Sequence, residues 1–233
     1  MYSIYKDSLE LAFYFSENLL KLSRESEKFN IALSGGNTPK FIFQKIAADY
    51  KNKFDWNRIH LFWGDERCVP PDDDESNFGM TKKYLLNQIT IPEHNVHRIK
   101  GENDPVTEAE RYTEEIKSNA KFKNGLPRFD LVMLGLGEDG HTASIFPNQM
   151  SLINSEKICE VAVHPSSGQK RVTLTGRVIN NASVITFLVT GENKKEILKQ
   201  VLIDKNKTLP AEFIQPVSGK LKFYVDEAAA GLL

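Results

Sequence analysis

The stretch that decides the fold is Phe129-Asp130-Leu131-Val132-Met133-Leu134, which runs directly into Gly135-Leu136-Gly137-Glu138-Asp139-Gly140-His141-Thr142. A short apolar run closed by glycines is a strand covered on both faces. Outward from it the same alternation recurs. Towards the N-terminus, FNIAL (29–33), RIHLFW (58–63) and NVHRI (95–99) read as strands. Helical spacing separates them at 7–24, from Thr38-Pro39 to about Asp49, from Ser76-Asn77 to about Leu86, and at 105–119. Thr38 followed by Pro39 predicts an N-cap with proline at the first helical position. Towards the C-terminus, 158–164, 170–174, SVITFLV (183–189) and LKFYVD (221–226) predict strands, with a helix over 191–202. Strands alternating with helices imply βαβ units. The expected fold is α/β, a central, mostly parallel sheet with helices on both faces, in one domain over residues 1–233.

Composition narrows the function classes. The 233 residues carry 30 Lys plus Arg against 31 Asp plus Glu, a net charge of −1. Such a balance argues against a general nucleic-acid or anionic-membrane binder. There is no run of about 18 apolar residues to cross a bilayer, and the start, MYSIYKDSLE, lacks the pattern of a secretory signal. With two cysteines, Cys68 and Cys159, and no CxxC, neither a disulfide framework nor a thiolate zinc site is available. We expect a cytoplasmic protein.

In parallel sheets ligands sit beyond the carboxyl ends of the strands, so the loops after 33, 63, 134, 174 and 189 are the places to look. Ser34-Gly35-Gly36-Asn37-Thr38-Pro39 turns from strand to helix on two glycines, and offers free N–H groups and hydroxyls to a phosphate. Taken alone it is also a plain tight turn. Gly64-Asp65-Glu66-Arg67 follows another strand. Arg67 there can meet an anion or oxyanion, while Asp65 or Glu66 orients a neighbour; a surface salt bridge is the plainer alternative. Gly135, Gly137 and Gly140 fit the dinucleotide fingerprint, but Glu138 and Asp139 would repel a pyrophosphate. A P-loop fails because His141 stands where its lysine belongs. His141 with Asp139 two residues before it suits proton transfer instead. Arg171 and Lys194 fall near strand ends, where they can join the glycine loop around one phosphate. Cys68 beside Arg67 is a weak rival nucleophile. His60 reads as a packed or edge residue of its strand; His94, His97 and His164 receive no role, and His97 has no acid beside it in the sequence. No spacing suggests a metal, and Asp72-Asp73-Asp74 reads as a solvated loop.

The segments LSGGNTP (33–39), WGDERCVPPDDDESNFGM (63–80), FDLVMLGLGEDGHTASIFP (129–147), KRVTLT (170–175) and TGENKKEIL (190–198) together resemble the glucosamine-6-phosphate isomerase/6-phosphogluconolactonase family. The resemblance implies a deaminase/ribose-phosphate-isomerase-like sheet. It implies an enzyme, a carboxylic ester hydrolase acting on a small-molecule sugar-phosphate lactone. The reaction would be hydrolysis of 6-phospho-D-glucono-1,5-lactone to 6-phospho-D-gluconate, the second step of the oxidative pentose phosphate pathway, with no metal and no organic cofactor. By motif match, His141 falls on the general base and Arg67 on an active-site arginine. Arg171 and Lys194 fall on substrate-binding cations, and Ser34, Gly35, Gly36, Asn37 and Thr38 on the phosphate-side loop. Asp65 and Asp139 match acids of the motifs, and either could orient His141. The sister activity, deamination of glucosamine 6-phosphate, usually carries a Glu shortly after the His; Thr142 to Pro147 contains none. A non-catalytic sugar-phosphate sensor would not need His141, Asp139 and Arg67 together. We expect no nucleic-acid or membrane partner, and a monomer or homodimer.

Overall fold

A computed structural model describes all residues, 1–233. Its strands are β1 (Tyr2–Tyr5), β2 (Phe29–Leu33), β3 (Ile59–Trp63), β4 (Asp65–Arg67), β5 (Val96–His97), β6 (Lys121–Lys123), β7 (Leu126–Arg128), β8 (Leu131–Leu134), β9 (Cys159–Val163), β10 (Lys170–Leu174), β11 (Val184–Val189) and β12 (Lys220–Asp226). Its α-helices are α1 (Ser8–Ser23), α2 (Asn37–Lys45), α3 (Asn77–Tyr84), α4 (Pro105–Asn119), α5 (Ser151–Asn154), α6 (Gly176–Asn180) and α7 (Lys195–Lys199).

Seven strands form one sheet in the order β1-β12-β11-β8-β2-β3-β5. Every neighbouring pair in it is parallel. Each residue of β2, β8 and β11 is buried, as required of strands covered on both faces. Helices lie around this sheet. The buried apolar residues, from Leu11 to Ala230, make one continuous core. Order reverses at β8 and β2, which are neighbours although about a hundred residues separate them in the chain. The loops leaving their carboxyl ends therefore diverge and leave a crevice between them.

Local chemistry explains most element ends. Asp7 caps α1 by accepting from the N–H groups of Leu9 and Glu10, and Asp104 caps α4 with Pro105 at its first position. The expectation for α2 needs correction. Thr38 lies inside the helix, and Gly36 holds the cap position at φ 101°. A residue with a side chain would be strained there. A π-turn over Ile46–Tyr50 continues α2, and another over Gln200–Asp204 continues α7. The helix expected at 191–202 thus divides into a 3₁₀ turn, α7 and a π-turn.

A second correction concerns 158–164 and 170–174. These residues form β9 and β10, but in a separate antiparallel sheet of order β4-β10-β9. Asp65-Glu66-Arg67, read from sequence as a loop, is the third strand of that sheet. Arg171 therefore does not leave a carboxyl end of the central sheet. It pairs in register with Arg67 across β10 and β4.

Candidate active site

A cleft of about 390 Å³ opens at the carboxyl ends of β2, β8 and β11. Ser34, Gly35, Gly36, Asn37, Thr38, Asp65, Arg67, His141, Arg171 and Lys194 all line it. Asp139 does not, and stands behind His141. The cleft also contains Asn77, Glu138, Thr190 and Asn193, to which sequence reading gave no site role. Asn77 signalled only a helix cap.

One end of the cleft is built on α2. No side chain caps this helix, so its first N–H groups stay open beside the cleft, where the helix dipole favours an anion. The Thr38 hydroxyl lies 2.7 Å from that of Thr190, tying the β2 loop to the β11 loop. Lys194 approaches from the β11 side. The N-terminus of α3 is close by but already filled. Ser76 accepts from Gly79 N–H, and Glu66 accepts from the N–H groups of Arg67, Asn77 and Phe78 and from the Ser76 hydroxyl. Burial pushes the Glu66 carboxyl up to about 7, against the pull of those N–H groups. Asn77 in turn donates to the Asp65 carbonyl at 2.9 Å, and its side chain packs flat on Gly35. A Cβ on residue 35 would fall 1.8 Å from the Asn77 Oδ1.

The other end holds His141. Its Nδ1 lies 2.5 Å from Asp139 Oδ1, which also accepts the His141 backbone N–H. Burial pushes the Asp139 carboxyl up, but the His141 ring and N–H outweigh it and hold it at about 2. Asp139 is therefore an acceptor near neutral pH, and the hydrogen belongs on His141 Nδ1. In the neutral ring Nε2 then carries the lone pair, the arrangement a general base needs. Of the two acids expected to compete for this role, Asp139 makes the contact. Asp65 bonds to Ser144 instead. The ring packs 4.8 Å from Phe146, and the next residue but one, Ala143, sits at φ 48°. A left-handed alanine is uncommon and marks a tightly determined loop.

Between these ends lie two arginines. Register places Arg67 and Arg171 on one face of the small sheet. Like charges directly opposite are destabilising, and no carboxylate forms an ion pair with either. Each Nε is buried and without a partner. Burial and the neighbouring Arg67 charge pull the Arg171 pKa below its ordinary value. Arg67 donates to the Glu75 carbonyl, and Arg171 stacks 5.5 Å over Phe146. With neither paired to a carboxylate, the two guanidinium groups keep spare donors of the kind that suit an anion. Burial, reinforced by Glu66, pushes the Cys68 thiol up to about 11, so the sulfur beside Arg67 is not a thiolate near neutral pH.

The family model described as glucosamine-6-phosphate isomerases/6-phosphogluconolactonase matches residues 8–223. The chain belongs to this family. Relatives within the family include 6-phosphogluconolactonase of Haemophilus influenzae, 44% identical over 91% of this chain and 90% of that protein. The 6-phosphogluconolactonase of Treponema pallidum is 41% identical over 89% of this chain and 86% of its own. Among solved family structures, 6-phosphogluconolactonase of Thermotoga maritima superimposes with a TM-score of 0.84 at 32% identity, over 97% of this chain and 99% of that one.

Outside the cleft lies a second histidine–acid contact. His97 does have an acidic neighbour, brought by α4 rather than by sequence. Its Nδ1 lies 2.7 Å from Glu115 Oε1, and its Nε2 lies 2.9 Å from His60 Nδ1.

Proposed function

We propose that residues 1–233 act as one catalytic unit that hydrolyses 6-phospho-D-glucono-1,5-lactone to 6-phospho-D-gluconate. The observation that carries this is the pairing, in one cleft, of an imidazole with a free Nε2 and an open helix N-terminus suited to a phosphate. The names of the family relatives at 41–44% identity support the choice of lactone.

The phosphate sits at Ser34 to Thr38, with Arg171 and Lys194 as counter-charges. Held there, the sugar presents C1 to His141, which removes the entropic cost of alignment. His141 Nε2 takes a proton from water as the oxygen attacks C1, and Asp139 fixes the ring tautomer. A placed base contributes about 10²–10⁴-fold. Arg67 opposes the charge gathering on the carbonyl oxygen, and one such donor contributes on the order of 10²–10³-fold. The C1–O bond of the ring then breaks, and His141 returns the proton to the departing oxygen. An activated ester needs no enzyme nucleophile for this, which agrees with the un-ionised Cys68. We place the enzyme in the cytoplasm, as a monomer or homodimer without nucleic-acid or membrane partners. Its near-zero net charge argues against a nucleic-acid or anionic-membrane partner, and no helix is long and apolar enough to cross a membrane.

The test is a lactonase assay on freshly generated substrate, with spontaneous hydrolysis subtracted. Turnover well above background is expected. Ammonia release from glucosamine 6-phosphate at a comparable rate would overturn the assignment in favour of the sister reaction.

A further inference from the structure

Asp65 is the one acid lining the cleft that is both buried and unpaired with a cation. It is 5% exposed and forms no ion pair. Glu138, the other acid of the lining, is tied to Asn193 at the rim. The Asp65 side chain only accepts. Its Oδ2 takes the Ser144 hydroxyl at 2.6 Å, and its Oδ1 faces the Asn77 amide at 3.5 Å. Both oxygens thus face hydrogen-bond donors. Ser144 is fully buried, and its N–H donates to the Thr173 hydroxyl at 3.2 Å. Thr173 is the register partner of Asp65. The carboxylate is thus fixed from two strands and one loop, and Ser144 follows His141 by three residues. The Asp65 side chain is therefore anchored in the same cleft as His141 and Arg67.

A negative charge there does nothing to help water attack a neutral ester. It does distinguish ligands before and after reaction. The lactone is neutral at C1, whereas its hydrolysis, C1–O cleavage with addition of water and loss of a proton, leaves a carboxylate there. Arg67 would otherwise hold that new anion in the cleft. We propose that Asp65, held in place by Ser144, is a product-discriminating carboxylate that repels the newly formed sugar acid and keeps it from occupying the site. This rests on the lactonase reading above, with Ser144 as a positioning residue.

The test compares two ligands by calorimetry: 6-phospho-D-gluconate, and D-glucitol 6-phosphate, which has the same chain without the carboxylate. In the wild-type protein the acid is expected to gain no affinity over the polyol. In Asp65→Asn the acid should bind about ten-fold more tightly, the scale of removing one nearby charge in a partly shielded site, while the polyol shifts less than about two-fold. Ser144→Ala, which frees the carboxylate to swing, should move the ratio the same way by a smaller factor. An unchanged ratio in both variants, or equal tightening of both ligands, would overturn the proposal. So would a wild-type protein that binds the acid ten-fold more tightly than the polyol. The ratios need no turnover, so a failed lactonase assay would sink the functional reading and leave this measurement standing on its own.

Discussion

Two histidines in this molecule lean on carboxylates, and they are put to opposite ends. His97 lies 2.7 Å from Glu115 and His141 lies 2.5 Å from Asp139. In both, the acid accepts from Nδ1 and fixes the tautomer. At His97 the second nitrogen is consumed as well, because it faces His60 at 2.9 Å, and the side chain is 3% exposed. At His141 the second nitrogen has no protein partner, and the side chain is 26% exposed on the cleft. A histidine–acid contact is thus not a catalytic signature by itself. What separates the two is the state of the other ring nitrogen and what it faces.

The sharpest break in this comparison is His141→Ala, which should lower kcat by about 10²–10⁴-fold with little change in KM. The matched change His97→Gln should leave kcat untouched. Initial rates corrected for spontaneous hydrolysis decide both. Next in size, Asp139→Asn should cost kcat about 10²-fold, since the ring loses its tautomer while the binding end stays intact. Because Asp139 sits at about 2, its own ionisation should not appear in the acid limb of the wild-type pH–rate profile above pH 4. Arg171→Ala should raise KM by about ten-fold or more, on the scale of a lost charge-assisted hydrogen bond. An unchanged KM would remove Arg171 from the anion site.

The smallest effect belongs to the structural pair and appears in stability rather than rate. Burial, with the charges of Lys28, His97 and His94, lowers His60 to about 4. Burial also lowers His97, although Glu115 pulls the other way. A histidine depressed in the folded state stays neutral while the unfolded chain takes up a proton. Its stabilisation is complete above the ordinary value of about 6.5 and is lost as pH falls towards 4. Urea unfolding between pH 4 and 7.5 should show stability rising with pH, and His60→Asn should flatten the slope by up to one proton. The variant's lactonase kcat should match the wild type.

The same contrast marks what could be read from sequence. His141 and Asp139 are two residues apart, so their contact was visible on the chain. His97 and Glu115 meet only because α4 packs beside β5. Helix α4 was legible to its ends because Asp104 and Pro105 punctuate it. Strand β4 was not, since three consecutive charged residues carry no strand pattern, and only pairing with β10 makes them extended. That same pairing put Arg171 opposite Arg67 in the small sheet, although both reach the expected cleft. Strand β1 is four residues long and pairs with β12 from the far end of the chain. The hairpin strands β6 and β7 are shorter still, at three residues each, with no apolar face to announce them. The central strands were legible because burial on both faces leaves an unbroken apolar run. Gly36 rather than Thr38 caps α2 because the turn demands a positive φ there, which the cap-and-proline pattern of the sequence does not reveal.

The bare backbone at Gly35 has a mechanical consequence. The Asn77 amide rests directly on it, and Asn77 is also the first residue of α3 and a donor to Asp65. Shifting the glycine turn as an anion settles would press on Asn77 and, through it, on the strand that bears Arg67. On the proposed function the two extremities of the sugar are gripped by parts that lean on one another, so a fragment lacking its phosphate would meet a slacker grip at C1 as well as a missing anchor.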